Sequence, residues 1–162
     1  MAIYSKEHMG LLKALLEYEV KFVLIGGHAA IYYGVNRNTG DLDILIEPTQ
    51  ENGLKLIAAL SSIGLDIPEI KPDEFEKELV LAFGFEPDAV DIINFTPGIT
   101  FETTYSNSII IDFNGINVRV IDIRDLIKNK ENLNRSGPKA LLDKYDAETL
   151  RKILLKKTPK TS

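Results

Sequence analysis

Along the chain, apolar residues switch between helical spacing and short continuous or alternating runs. Leu12, Leu15 and Leu16 recur at helical spacing behind Ser5, a good N-cap, so residues 6–18 read as an amphipathic helix. Lys21 to Ile25 is a short apolar strand, broken by Gly26 and Gly27, and His28 to Gly34 reads as a short helix that Gly34 stops. Turn chemistry from Val35 to Gly40 leads into a strand over Asp41 to Ile46. Pro48 and Thr49 open another helix, with Leu54, Ile57, Ala58 and Ser61 expected on its buried face and Gly64 at its end.

Residues 65–80 mix prolines with charges and stay open between loop and short helix. Beyond them LVLAFGF and AVDIINF, rich in β-branched and aromatic residues and separated by EPD, predict a hairpin. FETTYSNS reads as a short helix. IIIDF, Asn114-Gly115 and INVRVI form a strong two-residue hairpin signal, because Asn-Gly supplies the positive φ angles of a type I′ turn. IRDLIKNK reads as a short helix. Pro138 to Lys156 reads as a longer one, with Leu142, Tyr145, Leu150, Ile153 and Leu154 near a helical period. This order of elements predicts an α/β (α+β) fold, a mixed β-sheet flanked by helices.

Size and composition narrow the picture. A chain of 162 residues, 44% apolar and 27% charged, suits one globular domain, residues 1–162, whose C-terminal helical basic segment begins near residue 122. The absence of cysteine excludes disulfides, a thiolate metal site and a cysteine nucleophile, and fits a reducing cytoplasm. No apolar run approaches the roughly 18 residues of a membrane span, and nothing at the N-terminus resembles a signal peptide, so a cytoplasmic protein without membrane contact is expected. The net charge of −5 is unevenly spread: residues up to Ile123 carry −11, those from Arg124 onward +6. That basic end is either a solvated helix with a frayed tail or a surface facing phosphate or an acceptor.

The candidate chemistry lies between Val23 and Ile46. A strand that ends in Gly26-Gly27 and runs into a helix presents unpaired backbone N–H groups, a natural anion site. On the next strand Asp41 and Asp43 point to one face. Two like charges that close repel by roughly 4 kcal/mol at an effective dielectric of 20, so the pair calls for a raised pKa or a cation, usually magnesium. A third carboxylate, Asp91, sits inside the apolar run AVDIINF, where a charge is costly unless it faces a ligand; Asp112 is its rival. Arg37 and Lys139 are candidates for neutralising phosphate. His28 reads as a structural residue or a phosphate contact, and Tyr32 and Tyr33 as core residues or a stacking surface. Neither GxxxxGK[ST] nor GxGxxG occurs.

Gly26-Gly27, a spacer of about a dozen residues, Asp41-x-Asp43 and a later strand aspartate together resemble the DNA polymerase beta-like nucleotidyltransferase superfamily. The run GGHAAIYYGVNRNTGDLDI resembles the small prokaryotic branch that includes AbiE-type nucleotidyltransferase toxins, in which an Arg-x-Thr, here Arg37 and Thr39, precedes the aspartate pair. The resemblance extends through VDIINFTPGITFETTYSNS and IDIRDLIKNK to RSGPKALLDKYDAETL. Lys139 and Asp143 match the branch there, whereas Ala140 stands where it has an aspartate.

The resemblance implies that Asp41, Asp43 and Asp91 ligate one or two Mg2+ ions and are catalytic. It also implies that Gly26, Gly27, Arg37, Thr39 and Lys139 bind a nucleoside triphosphate such as ATP. The implied activity moves a nucleoside monophosphate to a hydroxyl of an RNA, a protein or a small molecule, and the resemblance to the toxin branch implies a toxin-antitoxin system with a protein partner. The alternative is a catalytically inactive or regulatory nucleotide-binding partner protein.

Overall fold

In the computed structural model, residues 5–67 and 69–157 are described. Residues 158–162 of the expected basic tail, and Pro68 in the open segment, lie outside the described residues. The elements follow the order α1 (Lys6–Glu17), β1 (Phe22–Ile25), α2 (Gly26–Tyr33), β2 (Asp41–Ile46), α3 (Gln50–Ser62), β3 (Val80–Phe83) and β4 (Ala89–Ile93). They continue with α4 (Phe101–Asn107), β5 (Ile109–Phe113), β6 (Ile116–Val120), α5 (Ile123–Asn132) and α6 (Pro138–Lys157). One six-stranded sheet runs β3-β4-β2-β1-β6-β5. Its β1/β2, β3/β4 and β5/β6 pairs are antiparallel, and β2/β4 and β1/β6 are parallel, giving the mixed sheet that the element order predicts.

Local signals explain most boundaries. The side chains of Ser5, Thr49, Thr100 and Asp122 accept hydrogen bonds from the first turns of α1, α3, α4 and α5. Asn114 (φ 53°) and Gly115 (φ 94°) turn the β5/β6 hairpin as their sequence predicts. The central strands β1 and β2 supply the middle of the core, with Val23, Leu24, Leu42, Ile44 and Ile46 buried. Helices α1 and α3 pack on each other, and α2 packs on α5 and α6. No helix among the described residues is long and apolar enough to cross a membrane.

Two helix faces differ from expectation. In α3 the buried residues are Asn52, Gly53, Leu56, Ala59 and Leu60, while Leu54, Ala58 and Ser61 face solvent. The rotation is set by polar and steric contacts: Asn52 Nδ2 donates to the carbonyls of Lys21 (3.0 Å) and Glu47 (3.1 Å), and its Oδ1 accepts from Lys21 N (2.7 Å). Gly53 meanwhile lies under Phe75, which a 3₁₀ turn over Pro72–Glu76 brings in from the open segment. In α6 Leu142 and Tyr145 are largely exposed, and Asp143, Asp146, Ala147 and Leu150 form the buried face instead.

The contact at Gly53 generates a stability prediction. A Cβ there would stand 2.2 Å from Phe75 Cδ2, and Phe75 is fully buried with no room to retreat. Gly53→Ala is expected to cost about 1–3 kcal/mol in urea unfolding despite its better helix propensity, as overpacked cores do; an unchanged midpoint would contradict it.

Candidate active site

The sheet register brings the acidic residues together. Asp43 of β2 pairs with Ile25 of β1 on one side and with Asp91 of β4 on the other. Asp41 lies one pleat away on the same face. Carboxylate oxygens of Asp41, Asp43 and Asp91 all lie within 4.8 Å of one another. Asp112 is on the far edge strand β5, where it accepts a hydrogen bond from Gly115 N (2.8 Å) within the hairpin turn, so Asp91 is the third member.

The two glycines serve this convergence. Gly26 has φ +70°, and a Cβ on it would fall 2.0 Å from Asp43 Oδ2. A Cβ on Gly27 would meet Thr39 Oγ1 at 2.6 Å and Arg37 Nη2 at 2.9 Å. The space left by the missing side chains therefore seats Asp43, Thr39 and Arg37 against the start of α2. The N-cap of that helix, Ile25, offers no side chain to its N–H groups. Thr39 Oγ1 in turn donates towards Asp41, 3.3 Å from both its carbonyl and Oδ1.

Burial and mutual repulsion shape the protonation of the three acids. Burial, then the charges of Asp41 and Asp91, push the Asp43 carboxyl well above the usual carboxylate range. Asp91 is raised by burial and by its hydrogen bond with Asp41. Burial alone would raise Asp41 as well, but hydrogen bonds from Asp91, Asp43 and Thr39, with the charge of Lys139, lower it. The raised carboxyls of Asp43 and Asp91 reflect crowded acid groups out of water, which a cation would relieve. The all-oxygen donor set, the close oxygens and the protein's need for positive charge there fit a hard divalent ion such as Mg2+.

A cleft of about 610 Å3 opens in front of the acids, lined among others by Gly27, Thr39, Glu86, Arg135, Lys139 and Leu142. One wall is cationic, and its cations rest on carboxylates from α6. Arg37 grips the fully buried Asp146 through Nε (2.8 Å) and Nη2 (2.9 Å), while its Nη1 donates to the Asn38 carbonyl (2.7 Å). Lys130 of α5 reaches Asp146 at 3.0 Å and Asp143 at 3.4 Å, and Arg135 donates through Nε and Nη2 to Asp143. Lys139 makes no ion pair among the described residues, and its charge bears on Asp41 and Asp91. Of the sequence-predicted residues, Asp41, Asp43, Gly27, Thr39 and Lys139 line this cleft, as does Arg37, already committed to Asp146; Asp91 joins through its oxygens close to the other two acids, and Gly26 packs against Asp43.

Lys130, Arg135 and Asp146 carry no motif that marks them as site residues in the sequence. Their signal was available: acids at 143 and 146 fall on the helix stripe shared with Ala147 and Leu150, an arrangement that demands buried cations. His28 is buried and meets His8 edge-on at 5.6 Å between ring centroids. Burial and the neighbouring His8 push its pKa down to about 4, so it is neutral at pH 7 and brings no charge to phosphate. Tyr33 donates to the Ile121 carbonyl (2.6 Å) and packs on the core, with Tyr32 more exposed beside it.

The fold recurs among solved structures. A lincosamide antibiotic adenylyltransferase, LnuA, in its lincomycin-bound form matches with a TM-score of 0.54 at 15% identity, covering 94% of this chain and 99% of that one. ANT(2″)-Ia in complex with adenylyl-2″-tobramycin matches with a TM-score of 0.50 at 14% identity, covering 91% and 90%. At such identities the likeness establishes the α/β fold alone. No family model matches the sequence, and no curated protein matches it.

The Asp146 network carries a prediction about acid. Burial works against this carboxylate, but its bonds to Arg37 and Lys130 more than compensate and hold its pKa below the usual range. Its stabilising contribution is thus complete above the unfolded-state pKa and is lost as pH falls through the lowered folded one. Asp146→Asn, which leaves buried cations uncompensated, is expected to cost about 3–5 kcal/mol at pH 7 and less at the acid end, by urea denaturation across pH. A cost that does not shrink towards acid would refute this.

Proposed function

We propose that this chain is a metal-dependent nucleotidyltransferase that moves a nucleoside monophosphate from a nucleoside triphosphate to a hydroxyl acceptor. The observation that carries the proposal is the convergence of Asp41, Asp43 and Asp91, oxygens within 4.8 Å, with Asp41 and Asp43 lining a cleft that Arg37, Lys130, Arg135 and Lys139 also line. Asp41 and Asp43 would hold a divalent ion with Asp91 sharing it. The chemistry supplied by such an ion is polarisation of a phosphoryl oxygen and neutralisation of the charge on departing pyrophosphate.

The chain's own groups divide the remaining work. The uncapped N–H groups at the start of α2 receive phosphate oxygens, and Lys139 adds a point charge on the opposite side. Arg37 orders that corner by lying over Gly27. Asp91, on the strand next to the Asp41 and Asp43 pair, accepts the proton of the acceptor hydroxyl. The hydroxyl oxygen forms the new bond to the α-phosphorus while the bond to the bridging oxygen breaks and pyrophosphate leaves.

Arg37 and Thr39 ahead of the aspartate pair support placing the chain near the small prokaryotic branch that includes AbiE-type toxins. A cytoplasmic toxin role with a protein partner is the finer form of this proposal. The neighbours of this fold were captured with lincomycin and with adenylylated tobramycin, which favours a small hydroxyl compound over a macromolecule as acceptor.

Asp43→Asn tests the reaction and the strain together. The variant is expected to lower magnesium-dependent release of pyrophosphate from ATP by about 10²–10³-fold or more. Because it removes a carboxyl that burial and two neighbours disfavour, it is also expected to raise the metal-free melting temperature, by about 2–4 °C per kcal/mol relieved. Turnover that survives in the variant would overturn the assignment, and lost turnover with a lowered melting temperature would show a folding defect instead.

A further inference from the structure

We infer that the acceptor carries an apolar body beside its reacting hydroxyl, and that Val80 and Ala82 of β3 form the surface on which that body lies. The inference rests on the nucleotidyl-transfer reading of the cleft and adds the chemical class of the acceptor. Strand β3 is an edge of the sheet, and among the described residues β4 is the one element that packs extensively on it. The register pairs Ala82 with Asp91 and Val80 with Ile93, so these side chains leave the same face of the sheet as Asp41 and Asp43. On the other face of β3, Leu81 and Phe83 pack against the core. The water-facing positions of such an edge strand ordinarily carry polar or charged residues. Here they are apolar: Val80 is 68% exposed, and Ala82 is exposed as well.

The direction of the transfer identifies what covers this surface. In the sheet order β3-β4-β2-β1, the N–H groups that open α2 follow directly on β1, while Asp91 stands on β4, on the opposite side of the Asp41 and Asp43 pair. The attacking and leaving oxygens lie roughly in line across the phosphorus. With the triphosphate received at the start of α2, the acceptor oxygen approaches from the β4 side, and the remainder of the acceptor extends towards β3, about 5 Å further out. Ala82 lies opposite Asp91, about 4.5–5.5 Å away between Cβ atoms, and Val80 and Ile93 follow about 7 Å along the strands. The atoms next to the reacting hydroxyl therefore rest on methyl groups. An aromatic or alicyclic body gains there by leaving water, whereas a sugar-phosphate chain or a polyol loses hydration without a hydrogen-bond partner in return.

Calorimetry with Mg2+ and α,β-methylene-ATP, whose α–β bridge cannot be cleaved, tests the inference on the intact chain. The probes are naphthylethanol, glycerol and transfer RNA. Wild type loaded with the analogue is expected to bind naphthylethanol and not glycerol or transfer RNA. Val80→Asp is expected to weaken naphthylethanol about tenfold or more, and Val80→Thr, of similar size and also β-branched, about threefold or more, both with unchanged affinity for the analogue. Should Val80→Asp lose the analogue as well, Val80→Thr alone decides. Ile110→Asp, an equivalent change at a position 60% exposed on the opposite edge strand β5, is expected to leave naphthylethanol binding unchanged. Equal naphthylethanol affinity in wild type and the Val80 variants, an equal loss in Ile110→Asp, or preference for glycerol or transfer RNA overturns the assignment of this surface. If wild type binds the analogue but not naphthylethanol, this inference falls and the transferase reading stands. If the analogue itself fails to bind with Mg2+, the transferase reading falls.

Discussion

Three carboxylates held within 4.8 Å of one another are a standing electrostatic debt, and the centre of the fold is organised around it. The parallel pairing of β2 with β4 sets Asp43 opposite Asp91, and the antiparallel pairing of β1 with β2 sets Ile25, the last residue before the glycine corner, opposite Asp43. A slip of one residue in either pairing would turn the acids to the other face of the sheet. Buried apolar residues between them, Leu42, Ile44, Val90 and Ile92, make such a slip costly, so core packing enforces the geometry of the acids.

The second structural layer balances the first. Asp143 and Asp146 of α6 hold Arg37, Lys130 and Arg135, and these cations are close enough to bear on the acidic cluster: against the burial and the neighbouring acids that raise the Asp43 carboxyl, Lys130 pulls weakly the other way. The network thus ties α6 to α5 and to the loop before β2 through charge, beside the apolar contacts of Ala147 and Leu150. That explains why Leu142 and Tyr145 are left towards solvent while two aspartates turn inward. Stability and site electrostatics share the same side chains.

Most of the fold was legible because its signals are local. Caps at Ser5 and Thr49, the Asn114-Gly115 turn and the left-handed Gly34 each act within a few residues, and each appears where the sequence places it. The aspartates and glycines were legible for a related reason, since their face and spacing follow from strand geometry. The segment from 65 to 80 resisted because its order comes from afar. Phe75 lodges on Gly53, and Asn94, at the end of β4, bonds the carbonyls of Phe75 (3.0 Å) and Lys77 (2.6 Å) and the N–H of Leu79 (2.8 Å). The faces of α3 and α6 were missed because polar groups, Asn52 in one and Asp143 and Asp146 in the other, claim interior positions that hydrophobic periodicity assigns to leucine. Arg37 was recognised as a site residue, but its partner lies 109 positions away and nothing local announces it.

The account stands on one site of three carboxylates acting as a unit towards a divalent cation. Electron paramagnetic resonance titration of Mn2+ tests this directly, comparing wild type with Asp91→Asn, a change on a different strand from the Asp41 and Asp43 pair. The account predicts Mn2+ binding by wild type that Asp91→Asn weakens at least about tenfold. Equal Mn2+ affinity in the two proteins, or no binding by wild type, would contradict it.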